Sequence, residues 1–169
     1  MDVSVKEKIL CEANKVIAKK GLNCFTLEEV AKEAGISKGG LLYHFPSKDK
    51  LIQGLIEYYM EQFDQKIDRT RWLPSLIEQY FDCESNDTTC MRGLLAAVAM
   101  NQELLKPIRD NHKEMMDKIN ELKDPAMAMI ICLACYGMAF SNLFGINVFS
   151  KEDMQRIHDR LMDLSQQLL

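Results

Sequence analysis

The chain is 169 residues long, 47% hydrophobic and 27% charged, with a formal net charge of −4. That is long enough for a sizeable core and ordinary for a cytoplasmic globular protein, and Lys6, Glu7 and Lys8 interrupt any apolar run that could serve as a signal peptide. The charge is divided unevenly: residues 1–50 carry nine Lys and Arg against seven Asp and Glu, the remainder twelve against eighteen, so the acidic body limits indiscriminate binding to polyanions.

Helices are expected throughout, with no convincing strand, which makes the chain all-α with about nine helices. The first, over residues 3–19, carries Ile9, Ala13, Val16 and Ile17 on one stripe and stops near Gly21. Thr26 caps the second, with Glu29 placed to reach back to its amide in a capping box, and Leu27, Val30, Ala31 and Ala34 recur at helical spacing. Gly35 supplies a left-handed turn residue, and Ser37 restarts a helix two residues later. Two short helices held across a glycine turn form a helix-turn-helix.

The second of that pair, residues 38–43, is an odd core helix. Gly39 and Gly40 each cost roughly 1 kcal/mol against Ala inside a helix, so something other than helix stability favours them. Close approach of the backbone to a phosphate chain is one such reason. Lys38, Tyr43, His44 and Lys48 put several hydrogen-bond donors on one side, and Leu42, beside the buried-looking Leu41, points outward, where a thymine methyl would suit it. On composition alone a plain helix hairpin with a solvated Lys and a surface His accounts for the same residues.

Ser47 and Asp49 open a long helix through Leu51, Leu55, Ile56, Tyr59 and Phe63 toward Arg69. Trp72-Leu73-Pro74 marks a joint before a helix over residues 75–83, and the polar residues 84–89 form a loop. A sixth helix is expected over residues 90–100 and a seventh from near Pro107 to residue 121. Asp124-Pro125 then caps a segment in which residues 126–140 are all apolar or glycine. The run is shorter than the ~20 residues a membrane span needs, so a helix buried on every side is expected instead. Ser150 with Asp153 opens the last helix, where Met154, Ile157, Leu161, Leu164 and Leu168 form an amphipathic stripe.

Ten of eleven methionines follow residue 50, and flexible thioethers suit either an adaptable cavity or an ordinary core; the hydrophobic pattern does not separate the two. Tyr136, Phe140 and Asn142 offer aromatic walls and a polar hook. Of six cysteines, Cys11 and Cys24 read as small core residues, Cys132 and Cys135 form a C-x-x-C without a second pair, and Cys83 and Cys90 flank the polar loop. A thiol- or metal-responsive regulator and a non-specific architectural DNA binder are the alternatives. No phosphate loop, nucleophile elbow or HExxH asks for an enzyme, and no cofactor or metal is expected.

The stretch from Thr26 to Leu51 resembles the amino-terminal signature of the TetR/AcrR repressors: a Thr before the helix, Ala34-Gly35-Ile36-Ser37 in the turn, then Gly39, Tyr43, Phe45, Ser47-Lys48 and Leu51. The resemblance covers about 50 residues. It implies a DNA-binding domain over residues 1–46 and a helical effector-binding and dimerisation domain over residues 47–169. It implies DNA contacts by Thr26, Lys38, Gly39, Gly40, Leu42, Tyr43, His44 and Lys48, with Leu41 and Phe45 as packing residues. One departure stands out: Gly40 lies where many members carry a side chain able to touch a base.

The remaining expectations follow from the same resemblance. A small, apolar effector would enter among Met91, Met100, Met116, Met129, Tyr136, Phe140 and Asn142. The last two helices would each turn one face to the protomer's interior and the other to a second subunit, and the stripe Met154, Ile157, Leu161, Leu164 and Leu168 would pair with its symmetry mate, so that a homodimer reads an inverted-repeat operator and is released by the effector.

Overall fold

In the computed structural model, which describes residues 4–21, 24–82, 98, 101–146 and 148–168, the first helix opens on a capping box. Ser4 Oγ accepts from the Glu7 amide at 3.2 Å and Glu7 Oε2 accepts from the Ser4 amide at 2.8 Å, which sets α1 at Val5–Lys20. Seven further α-helices follow among the described residues, with no strand: α2 Leu27–Ala34, α3 Lys38–His44, α4 Lys48–Asp64, α5 Trp72–Phe81, α6 Lys106–Asn120, α7 Pro125–Phe144 and α8 Lys151–Leu168. Of the helix expected over residues 90–100 only Val98 is described, and it is helical; Cys83, Cys90, Met91 and Met100 lie outside the described residues.

Two boundaries differ from the sequence expectation for local reasons. α4 stops at Asp64 because two tight turns, Lys66 N to Phe63 O at 3.1 Å and Ile67 N to Asp64 O at 3.0 Å, close its end. α5 begins at Trp72, not residue 75. Asp68 caps a 3-10 turn at Arg69–Arg71 that runs straight into it, and Pro74 falls within the first turn, where its missing N–H is not needed. Ser75 is therefore inside the helix and buried, its Oγ accepting from the Asp68 amide at 2.9 Å.

The chain packs as two compact units, Met1–Glu61 with Asp87–Asp110, and Gln62–Asn86 with Asn111–Leu169. These units do not follow the sequence boundary after Pro46, because most of α4 packs with the helix-turn-helix. In the first unit Ile9, Phe25, Leu41, Leu51, Ile52 and Leu55 are fully buried together. Leu104 joins the same core at 1% exposure, and Asn101 Nδ2 donates to Asp49 Oδ2 at 3.0 Å. A segment some fifty residues downstream thus docks on the start of α4.

In the second unit α5 packs against α7 and α8, and Leu73, Ile77, Ile119, Ile131 and Cys135 form the centre. Within the single chain α7 is covered on one face only. Ala128, Ile131, Cys132, Cys135 and Leu143 face the core, while Ala126, Ile130, Leu133, Gly137, Phe140 and Phe144 are exposed. The exposed set repeats at intervals of 4, 3, 4, 3 and 4 residues, the heptad seam of a helix that meets another helix. By length and composition α7 could also cross a membrane, with a third of its apolar window buried.

Candidate nucleic-acid interface

The caps expected from sequence orient the helix-turn-helix. The Glu29 amide donates to Thr26 Oγ1 at 3.2 Å, Gly35 adopts φ 66° and ψ 33°, and its amide closes on Lys32 O at 3.1 Å while Ile36 N bonds Ala31 O at 3.0 Å. Ser37 Oγ then accepts from the Gly40 amide at 3.0 Å. The reciprocal half of the Thr26–Glu29 capping box is absent, a correction to the expectation: Glu29 is held instead by Lys20, which also takes Glu33 at 2.9 Å. That pairing ties α1 to α2, with Leu41, at 0% exposure, pinning α3 beneath them.

On the outer side, Thr26, Glu28, Lys38, Gly39, Gly40 and Tyr43 are exposed, Leu42 and His44 half-buried. Tyr43 is 86% exposed, far more than an apolar ring normally leaves to water, and its ring meets that of His44 edge-on at 5.2 Å. Gly39 is not required by the protein's own packing: neither it nor Gly40 has positive φ, and a Cβ at Gly39 would stand 3.9 Å from Ser37 Oγ, whereas one at Gly40 would crowd that capping oxygen at 3.3 Å. Bare backbone is therefore presented outward at the start of α3. Lys48, the first residue of α4, lies over the Phe25 ring at 5.6 Å, and Ser47 Oγ accepts from Lys50 N at 3.2 Å.

Glu28 is the residue missed by sequence reasoning. It follows Thr26 by two and precedes Glu29, so its side chain leaves α2 on a different side and takes Lys38 as its ion-pair partner. The hydrogen bond from Lys38 holds its carboxyl below the usual carboxylate range.

The residues expected to bind an effector are dispersed. Met116, Met129 and Tyr136 are half-buried against the second core, Asn142 is half-buried, and Phe140 is exposed. Tyr136 Oη donates to Met115 Sδ at 3.1 Å, and the Tyr80 ring stands edge-on to it at 5.7 Å. A cavity of about 220 Å³ lies instead between α7 and α8, lined by Ala134, Met138, Ser141, Phe149, Met154 and Ile157. Two residues assigned from sequence to pairing between protomers, Leu161 and Leu168, are 7% and 6% exposed in the protomer's own core. Their apolar faces are already covered, which corrects that assignment. Met154, Ile157 and Leu164 are half-buried. The C-x-x-C is buried as well; desolvation pushes Cys132 up to about 11 and Cys135 up to about 12, so both stay protonated and poorly nucleophilic at neutral pH.

The chain resembles known proteins in both halves. Residues 9–55 match the profile of bacterial regulatory proteins of the tetR family, and residues 70–166 match the tetracyclin repressor-like C-terminal domain. The HTH-type transcriptional regulator YuxN of Bacillus subtilis (strain 168) is 43% identical over 58 residues, which is 34% of this chain and 20% of YuxN. The chain thus spans about a fifth of the length of that curated relative. Among solved structures, a transcriptional regulator from Rhodococcus sp. Rha1 superposes with TM-score 0.71 at 18% identity over 97% of each chain. The multidrug binding protein EbrR complexed with ethidium superposes with TM-score 0.69 at 19% identity, over 94% of this chain and 98% of EbrR. With its carboxy-terminal match alone spanning more than half its residues, the chain belongs to the TetR family of bacterial regulatory proteins.

Proposed function

We propose that this protein is a ligand-responsive transcriptional repressor that binds an inverted-repeat operator in the cytoplasm as a homodimer. The observation that carries the reading is the outward side of α3. Two exposed glycines, of which Gly39 at least is not needed by the fold, an 86% exposed Tyr43 and Lys38 converge where α3 begins and ends, with Thr26 and Lys48 at neighbouring helix starts. Backbone amides at helix starts and cationic side chains grip phosphate; Leu42, Tyr43 and His44 reach base edges. Recovering the duplexes this protein retains from a random pool tests it. The expected product is an inverted repeat with half-sites about 34–36 Å apart or a multiple of that, and an unordered pool rejects the reading.

The glycines permit a second test with opposite signs in two assays. Gly39→Ala has room for its methyl group and removes the conformational freedom of glycine, so it should stabilise the fold by about 0.5–1 kcal/mol in urea melts. The same methyl should weaken operator binding by standing between α3 and the duplex. A gain in stability with unchanged binding would leave the glycines without a role at the DNA.

Of the two closing helices expected to face the second copy, we assign the outward seam of α7 to it ahead of the α8 stripe. Ile130, Leu133, Phe140 and Phe144 leave more than half of their surface to solvent on one face, and an apolar heptad of that length suits a twin across a two-fold axis. The effector we infer is apolar or aromatic. Support comes from the thioethers and phenols of Met115, Met116, Tyr80 and Tyr136 in the second core and from EbrR, a multidrug binding protein. The docking of Leu104 and Asn101 on the start of α4 supplies a route to the reading head, since any displacement of that segment acts on the helix that follows Phe45.

A further inference from the structure

The acidic residues of α2 are sorted by side. Glu29 and Glu33, one turn apart, both engage Lys20 of α1, which offsets one of their two charges on the side facing α1. Glu28 projects the other way, remains exposed, and pairs with Lys38, the first residue of α3. An ionised carboxylate on a surface that meets a polyanion costs affinity with every phosphate near it. It is tolerated where it accepts a hydrogen bond from a base edge.

The major groove offers such donors. A G·C pair presents two acceptors, guanine N7 and O6, followed directly by one donor, the cytosine amino group. Lysine is a donor without acceptor capacity, and an ionised glutamate is an acceptor without donor capacity. Lys38 and Glu28 are hydrogen-bonded to each other in the free protein, as guanine O6 and the cytosine amino group are across the base pair. Donor and acceptor therefore stand side by side, and although an A·T pair also sets an amino group beside an acceptor, the pairings that lysine and glutamate most commonly make, with guanine O6 and N7 and with the cytosine amino group, fall together on one G·C pair.

We infer that Glu28 and Lys38 act as a single reading unit for one G·C base pair in each half-site, Lys38 donating to guanine and Glu28 accepting from cytosine. The inference rests on the reading of α3 as the element that enters the groove. It assigns sequence discrimination to α2, where Gly40 has removed a side chain from α3. The hydrogen bond from Lys38 that keeps Glu28 ionised preserves its acceptor-only character in the unbound protein.

Selection from random duplexes with the full chain tests the pair. The unsubstituted protein should recover a G·C pair at one position in each half-site. Glu28→Ala should lose that preference by about tenfold, symmetrically in both half-sites, with the other positions retained. Lys38→Ala should relax the same position and also weaken binding to all duplexes. Glu28 is exposed on the surface, so matching thermal melts are expected and serve as the folding control. Uniformly tighter binding of Glu28→Ala with every preference intact would make Glu28 an electrostatic brake and overturn the pair alone. So would relaxation confined to an A·T position. An unsubstituted protein without any preferred duplex would overturn the pair together with the reading of α3, which separates the two failures.

Discussion

Gly54→Val is expected to destabilise the amino-terminal unit by about 3 kcal/mol and to abolish operator binding with it. A Cβ at Gly54 of α4 would stand 2.6 Å from Phe45 Cε1, 3.3 Å from its Cζ and 3.5 Å from Leu10 Cδ2. The first distance is well inside van der Waals contact, and a branched side chain adds two methyl groups to it. Phe45 is only 4% exposed, with the Lys6 ammonium 6.0 Å from its ring centroid, so the ring has no free space to turn into. Glycine's usual penalty in a helix, about 1 kcal/mol, works in the opposite direction and is smaller than the overpacking cost.

The consequence reaches DNA because Phe45 ends α3. Its amide closes that helix on Leu41 O at 2.8 Å, so moving the ring moves the last turn of α3, where Tyr43 and His44 lie. Urea unfolding of four proteins, the parent, Gly54→Val, Phe45→Ala and the double variant, measures the contact as a coupling energy. Phe45→Ala alone should cost about 3–5 kcal/mol, and adding Gly54→Val to it should cost far less than in the parent, because the cavity accepts the new side chain. Additive losses would show that Gly54 and Phe45 do not share this contact.

This contact illustrates which parts of the molecule sequence reasoning reaches. The helix-turn-helix is readable because its devices are local: Thr26, Gly35 and Ser37 each act within four residues, through caps and one left-handed turn. Leu41 and Phe45 follow from the family resemblance. The partner of Phe45 does not, since Gly54 inside α4 has no periodicity to betray it. Leu104 joins the first core from about fifty residues beyond the start of α4, and no local pattern encodes such a docking.

The two faces of α7 are hard to tell apart for a different reason. Apolar residues on both faces hide the distinction between a face that meets the core and one that meets solvent. The 4-3-4-3-4 spacing of Ala126, Ile130, Leu133, Gly137, Phe140 and Phe144 was present in the sequence but embedded among residues of equal hydrophobicity. α8 misleads in the complementary way. Its stripe is clearly amphipathic, and amphipathicity states that a face is covered without stating by what. α5 covers it, through contacts that bury Leu161 and Leu168. Glu28 was missed because its partner, ten residues away, belongs to another helix.

Leu133→Asp is expected to give a folded monomer that loses operator binding by at least about 10³-fold, toward the non-specific background. Leu133 is 66% exposed on α7, so a carboxylate there is solvated in the single chain and leaves the core of the second unit untouched. In a pair related by two-fold symmetry the residue lies on the seam of both copies, and two carboxylates are desolvated together without a cation to match them. The free energy of two half-sites is then no longer gathered in one binding event. Leu161→Asp makes the informative contrast. At 7% exposure its carboxylate enters the protomer's own core, so it should lower the melting temperature whatever the state of association. Sedimentation and thermal melts on both variants separate the cases: loss of mass with unchanged melting for Leu133→Asp, early melting for Leu161→Asp. A Leu133→Asp protein that sediments as a dimer would move the two-fold axis away from α7.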